Sequence, residues 1–320
     1  MIVYILKRIG AGLLCLVLVT VFVFVAMRLV PGDIVTVQLQ NAAGVTEEQA
    51  QALRESFGLT EPLVVQLWNW VLGVLHGDLG NSFWGHKSVA ELLGERIPVT
   101  LEMGAIALLL AIVAGIALGI VGARRRGSWA DGVTRIGAVI GLSVPHYVFA
   151  LLALVVLSTA FRWSPPLVFT PLTEDPGRYF QQVGIPIVAL AFMMTAAIAR
   201  MTRSSMLESL GAESIRAVRA RGGSESRVLL IHGLRNSSIP ILTLIGLELG
   251  AVFGGTVILE AIFGIPGVGS LTYEAVSQRD YPLVVACAMF YCVMYVTVTI
   301  VIDLAYTIID PRIRTAGVGT

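Results

Sequence analysis

Charge is scarce in this chain: only 13% of its 320 residues are Asp, Glu, Lys or Arg, about half the share of an ordinary soluble domain. The shortage is concentrated. Ile9–Met27, Met103–Ala123, Ile136–Phe161, Tyr179–Ala199 and Tyr281–Ile302 carry no charged residue, and Asn236–Leu259 carries only Glu248. Each run is near or above the roughly 20 residues a helix needs to cross the hydrocarbon of a bilayer. Short alternating segments, the mark of a membrane β-barrel, are missing. Cysteine is also rare. Cys15, Cys287 and Cys292 all fall inside apolar runs, which excludes a disulfide framework and metal-ligand spacing. The four histidines, His76, His86, His146 and His232, lie in separate segments, so neither a metal cluster nor a Ser–His–Asp arrangement emerges. The nearest approach to a phosphate loop, Gly80-Asn-Ser-Phe-Trp-Gly-His-Lys-Ser88, has His86 where the lysine belongs. The expected protein is therefore an all-α membrane protein with six transmembrane helices and no catalysis of its own. Internal repeats and low-complexity tracts are absent. The net charge of +1 gives no sign of nucleic acid as a partner.

The first run is expected to stay in the membrane. It is longer than the core of a signal peptide, and no Ala-x-Ala site follows it. With the amino terminus placed in the cytoplasm, fifteen Lys and Arg fall on the cytoplasmic side and seven on the other. That bias fixes the orientation, with both termini inside. Four regions follow. Residues 1–30 hold the first transmembrane helix, and 31–97 form an extracytoplasmic segment. Residues 98–310 hold five further helices with a cytoplasmic loop at 202–236, and 311–320 form a tail that carries Arg312 and Arg314.

The 31–97 segment reads as a small helical cap. Thr46-Glu-Glu-Gln49 has capping-box spacing and opens a helix that Gly58 can close. Pro62 starts a second helix that carries Trp68 and Trp70, residues favoured at a membrane interface. Ser88-Val-Ala-Glu91 repeats the box spacing, and Pro98 suits the first turn of the second span. Gly115-Ile-Ala-Leu-Gly119 and Gly246-Leu-Glu-Leu-Gly250 have small-xxx-small spacing, which serves either helix association between subunits or close packing within one.

The loop 202–236 has more architecture than an anchor of positive charge requires. A polar helix over Ala212–Arg221 stops at Gly222-Gly223. A second over Ser224–Asn236 follows, with its own apolar stripe of Val228, Leu229, Ile231 and Leu234. Charge alone would hold a topology; a basic helix pair hinged on two glycines is suited to receiving a cytoplasmic partner. The residues that would do so are Arg216, Ala217, Val218, Arg219, Arg221, Gly222 and Gly223.

Acids at membrane depth cost about 2.5–3.5 kcal/mol on insertion scales, so they face protein or water. Glu102, Glu260 and Asp303 sit near the ends of spans, where structural pairing is the expectation. Glu248 is mid-span, and either lines a translocation path or seals a hydrogen bond inside the membrane. His146 and Tyr147 follow Pro145, which kinks the third span. They line a path if the freed carbonyls face a cavity, and otherwise pack the kink.

The loop resembles the signature loop of ATP-binding-cassette importer permeases, Glu-Ala-Ala, three residues, Gly, nine residues, Ile-x-Leu-Pro. Ala217, Gly222 and Leu234 match it, while Arg216, Val218, His232 and Arg235 depart toward the variant of the dipeptide/oligopeptide/nickel permease family. Further motifs similar to that family run in order along the chain: Arg28-Leu-Val-Pro-Gly-Asp33, Phe57-Gly-Leu-Thr-Glu-Pro62, His76-Gly-Asp-Leu-Gly80, Pro98-Val-Thr-Leu-Glu102, Arg125-Arg-Gly-Ser-Trp129, Phe263-Gly-Ile-Pro-Gly-Val-Gly269, Arg279-Asp-Tyr-Pro282 and Asp310-Pro-Arg-Ile-Arg314. The long segment after the first span looks like the first of the two permeases in such systems. The resemblance implies the fold of a type I importer permease and a second homologous permease as partner. It implies two cytoplasmic ATPases that hold ATP and Mg, with no cofactor on this chain, and a solute-binding protein outside. The helix around Arg216–Arg221 would be the coupling helix, and di- or oligopeptides the default substrate. Nickel, glutathione or another small solute is the alternative within the class. Outside it stand an ion-gradient transporter using Glu248 or Asp303 as proton carrier, whose inverted repeats and broken midplane helices are not evident here, and a membrane scaffold or receptor subunit with no conduit.

Overall fold

The computed structural model describes residues 2–41, 46–84 and 87–309. His86, the Asp310-Pro-Arg-Ile-Arg314 motif and the 311–320 tail lie outside the described residues. Within them the regular elements are helices: α1 (Ile2–Leu29), α2 (Ile34–Asn41), α3 (Glu47–Ser56), α4 (Leu63–Leu75), α5 (Val89–Arg124), α6 (Trp129–Ser143), α7 (His146–Phe161), α8 (Pro176–Gly211), α9 (Glu213–Ala220), α10 (Glu225–Arg227), a π turn (Val228–Gly233), α11 (Leu234–Phe263), α12 (Val268–Gln278) and α13 (Tyr281–Ile309). Five helical runs are long and apolar enough to cross a membrane, and six when the bent pair α6–α7 counts as one span. That agrees with the six expected from the uncharged runs.

Three boundaries differ from the sequence reading. The third span is broken rather than kinked: α6 and α7 meet at 102°. Val144 is extended at φ −96°, ψ 120°, and Pro145 begins the new helix at φ −57°. Proline disfavours helical geometry in the residue before it and offers no N–H, so both ends of the break have a local cause. Pro98 is not in the first turn of the second span, because α5 already starts at Val89. The added turns are amphipathic, with Val89 and Leu93 buried among polar neighbours, and hydropathy alone misses them. The second helix of the 202–236 loop does not end at Asn236. It continues through the π turn into α11 as one run, Glu225–Phe263.

The chain divides into two compact units. One holds Leu101–Ile265 and the chain from Thr297 on. Its central helix is α8: 72% of its most apolar window is buried, against 11% for the first span. Helices α6, α7 and α11 pack on α8. Small residues permit this. A Cβ on Gly115 would lie 2.7 Å from Ile198, and one on Gly119 would lie 2.5 Å from Thr202. These glycines therefore serve packing within the chain, with α5 pressed against α8.

The other unit holds Ile2–Thr100 and Pro266–Val296. Its apolar cluster joins Val89 and Leu93 to Val268, Leu271 and Ala275 of α12 and to Leu283, Val284 and Cys287 of α13. The 31–97 segment has its own small core of Ile34, Val35 and Ala50, packed by Leu53, Phe57 and Phe83. The Thr46 capping box is formed, and Gly58 follows α3 at φ +65°, as expected. Helix α4 begins after Pro62 and leaves Val64, Trp68 and Leu75 exposed along one stripe. In the first span Leu13, Leu14, Val17, Leu18 and Phe22 are exposed, the surface that lipid would cover. The three cysteines are free thiols; Cys15 and Cys292 place their sulfurs 3.9 Å apart.

Candidate functional site

The site begins where α8 ends. Ala212 is extended at φ −66°, ψ 147°, so the chain leaves the α8 axis and starts α9 at once. Helix α9 packs on α8 and on the π turn. Ile215 is its buried foot. Beneath the following turn, Leu229 packs with Ala123 and Met206, flanked by Ile120, Leu207 and Leu210. The elbow thus has an apolar underside seated in the fold.

Its end is closed by hydrogen bonds. The Gly223 N–H donates to Val218 O at 3.1 Å, and the Gly222 N–H donates to Arg219 O at 3.0 Å. This is the Schellman pattern, which needs a left-handed residue one place after the cap. Gly222 supplies it at φ +80°. A side chain on Gly223 would press within 2.9 Å of Val218 Cγ1. Both glycines are thus required by geometry, each for its own reason.

Across the turn the Arg219 guanidinium grips Glu225 with two bonds, at 2.8 and 3.3 Å. The sequence reading missed Glu225; the signal was an acid six positions after Arg219 with a Gly-Gly reversal between them. The remaining basic residues stay exposed. Arg216, Arg221 and Arg227 form no ion pair among the described residues, and Ala217 is exposed between the first two. Val218 is partly covered by the turn. The structure therefore brings all seven predicted loop residues into one projecting elbow, apolar below and cationic above.

A second pairing was also missed. Asp131, buried near the start of α6, accepts two bonds from Arg203 of α8 at 2.5 and 2.9 Å and one from the Gly127 N–H at 3.0 Å. Arg203 was counted only as a topology charge, because nothing in the sequence says that α6 and α8 are neighbours.

The residues expected to line a path lie apart from the elbow along the chain. His146, the first residue of α7, hydrogen-bonds Gly255 O of α11 through Nε2 at 3.1 Å. Its ring meets Tyr147 edge to face at 5.9 Å. Glu248 lies on α11 about two turns before Gly255, half-buried and without a hydrogen-bond partner among the described residues. The structure thus links His146 to the helix that carries Glu248 but not to Glu248 itself. No group of three or more metal-ligating side chains occurs among the described residues.

Up to six helical runs long and apolar enough to cross a membrane, with a basic elbow between two of them, describe a multi-pass membrane protein. Residues 1–104 match the family described as the N-terminal part of the binding-protein-dependent transport system membrane component, and residues 111–315 match the binding-protein-dependent transport system inner membrane component. The chain belongs to that family and is a permease subunit of the ATP-binding-cassette importer type. It is 35% identical over 312 residues to a probable peptide ABC transporter permease protein of Sinorhizobium fredii, covering 98% of this chain and 99% of that one. It is 36% identical over 310 residues to a putative peptide transport system permease protein of Brucella abortus, covering 97% and 98%. It is 34% identical over 314 residues to a glutathione transport system permease protein of Salmonella choleraesuis, covering 97% and 98%. Two solved structures share the fold. A crystal structure of an amino acid ABC transporter with histidines has TM-score 0.52 at 16% identity, covering 67% of this chain and 92% of that one. The inward-facing methionine ABC transporter has TM-score 0.52 at 17% identity, covering 69% and 97%.

Proposed function

We propose that this chain is the first of two homologous permeases in an importer for di- or oligopeptides, and that the elbow from Glu213 to Glu225 is its coupling element. In this reading both termini and the elbow face the cytoplasm, and the 31–97 segment faces the opposite side. Two ATPases, which hold ATP and Mg, grip the elbows of the permease pair, and a binding protein delivers solute from outside. The relatives named for peptides, and the one named for glutathione, itself a small peptide, support the substrate class. The observation that carries the coupling role is the elbow itself: a glycine-locked cap, an apolar foot at Ile215, and exposed Arg216 and Arg221 with no ion pair among the described residues.

Coupling follows from differential contact. A partner that changes shape with nucleotide moves the permease only if it binds the elbow differently in two permease states. The buried foot of α9 makes displacement of the elbow a displacement of α8 and the π turn. Substrate would then be exposed alternately to the two sides, with Glu248, His146 and Tyr147 as candidates for the path. A peptide presents backbone amides and charged termini whatever its side chains, so a path that accepts many peptides needs few specific contacts.

The test is uptake by the reconstituted transporter. Gly222→Pro cannot adopt φ +80°, and Arg219→Glu sets two acids against each other. Both variants are expected to insert normally and to lose ATP-driven uptake. The double variant Arg219→Glu/Glu225→Arg restores the internal pair but not the outward charge pattern. If it also restores uptake, Arg219 is an internal brace; if uptake stays lost, Arg219 faces the partner. Normal uptake by both Gly222→Pro and Arg219→Glu overturns the coupling role. Labelling of Ser226→Cys from the external side would overturn the orientation.

A further inference from the structure

A cleft of about 470 Å³ opens between α6 and α8. Three guanidiniums line it, from Arg135, Arg200 and Arg203, with the hydroxyls of Thr134, Ser143 and Ser204 and the apolar side chains of Ala138, Val139 and Leu142. Among the described residues Asp131 offsets them; it is held by Arg203 in two bonds and also faces the charge of Arg135. Arg135 and Arg200 are exposed and have no ion pair among the described residues. Three guanidiniums against the one carboxylate of Asp131 leave the cleft with a net positive charge.

The hydroxyls divide in the same way. Thr134 Oγ1 donates to Ala130 O at 2.9 Å, and Ser143 Oγ donates to Val139 O at 2.8 Å, so their protons are engaged within α6. The donors that remain are the guanidiniums of Arg135 and Arg200 and the hydroxyl of Ser204. A cleft with donors and cationic surplus suits an anion rich in acceptor oxygens, for which a guanidinium offers paired N–H groups.

The position of the arginines narrows the choice. Arg135 immediately precedes the uncharged run Ile136–Phe161, and Arg200 immediately follows the uncharged run Tyr179–Ala199. Each therefore marks the end of an uncharged run, the position at which a spanning segment is expected to leave hydrocarbon for the headgroups. Ala138, Val139 and Leu142 continue the same cleft along the apolar part of α6. We propose that this cleft binds an anionic phospholipid, its phosphate between Arg135 and Arg200 and its acyl chains along Ala138, Val139 and Leu142. Basic pockets between membrane helices recognise lipid headgroups by this combination of charge and apolar wall.

The test uses the intact transporter in vesicles of phosphatidylcholine doped with a photoreactive phosphatidylglycerol or, separately, a photoreactive phosphatidylcholine. The anionic probe is expected to label the α6–α8 region several-fold more than the neutral one. Arg135→Gln and Arg200→Gln should each lower that excess by about fivefold, the factor matching the roughly 1 kcal/mol that one basic residue contributes near an anionic surface. Arg135→Lys/Arg200→Lys should retain most of it, which separates loss of charge from loss of folding. Equal labelling by the two probes in the native protein overturns the proposal. So does full competition by inorganic phosphate, which would assign the cleft to a soluble phosphate. Crosslinking of Arg135 or Arg200 to an acidic side chain of the second permease, with lipid labelling absent, would assign it to a protein contact instead.

Discussion

The arginines around the 31–97 segment and those of the elbow have different fates. In the unit that contains the 31–97 segment, Arg28, Arg54 and Arg279 are engaged inside the chain. Arg28 lies over the rings of Phe24 at 4.1 Å and Tyr281 at 4.4 Å, and donates twice to Gln66 Oε1. Arg54 bridges Asp33 at 2.7 Å and Glu47 at 3.2 Å. Arg279 donates to the carbonyls of Val30 and Gly32. In the elbow, Arg219 has a partner in its own chain, while Arg216 and Arg221 reach solvent without an ion pair among the described residues. The same residue type staples a fold in one place and stands available in the other. The lesson is that a count of positive charge along a sequence says which side of a membrane a loop prefers, whereas the partners say whether the charge is structural or offered outward.

The largest test of this contrast removes a buried acceptor from the stapled unit. Asp280 is almost fully buried and accepts from Ser82 Oγ at 2.5 Å, the Phe83 N–H at 3.1 Å and the Leu283 N–H at 3.4 Å. Asp280→Ala strands those donors and should cost about 3 kcal/mol, seen as a lower thermal midpoint in detergent. A shift within error would mean that water or rearrangement replaces Asp280.

Arg28→Ala comes next, at about 1–2 kcal/mol, since two ring faces lose their cation. Arg28→Lys should recover only part of this, because a point charge cannot bond Gln66 twice and cover both rings. Full recovery by lysine would reduce Arg28 to a simple charge.

A smaller effect, below about 1 kcal/mol, is expected for Asp33→Asn, because the Arg54 pair is partly exposed. Burial alone would raise the Asp33 carboxyl, but hydrogen bonds from Thr36 and Arg54 outweigh it and hold the group below the usual carboxylate range. A depressed value in the folded state contributes stability above the unfolded carboxylate pKa of about 3.9 and loses it as pH falls through the folded value. The midpoint difference between native protein and Asp33→Asn should be constant near neutral pH and close in acid. A difference that widens in acid would contradict the assignment.

The smallest stability change belongs to the elbow. Arg216→Gln and Arg221→Gln should alter the midpoint by less than about 0.5 kcal/mol while lowering uptake strongly. Stability loss of the size seen for Arg28 would show that these side chains are staples after all, and would erase the contrast.

Much of the architecture was legible in the sequence because hydrocarbon imposes a length rule. Uncharged runs mark crossings whatever surrounds them, and Thr46, Gly58 and Gly222 carry capping chemistry that is local by nature. What depended on neighbours was not legible. Asp131 and Arg203 lie far apart in sequence and meet only because α6 packs on α8. Ser82 and Asp280 meet only once the loop before α5 reaches the turn before α13. Boundaries failed where helices continue past the membrane: the amphipathic start of α5 and the run from Glu225 into α11 have polar faces that hydropathy reads as an ending.

That run has a mechanical consequence. From Glu225 to Phe263 the backbone is one helical run of 39 residues, its pattern changed at the π turn and at Pro240 inside α11, a length of about 58 Å at 1.5 Å per residue. It begins within two residues of Gly223, so the glycine turn is followed by a stiff shaft and not by a slack tether. A push on α9 cannot be absorbed as loop motion. It must turn the shaft as a whole, change the winding at Val228–Gly233, or bend the shaft where Pro240 removes a backbone hydrogen bond.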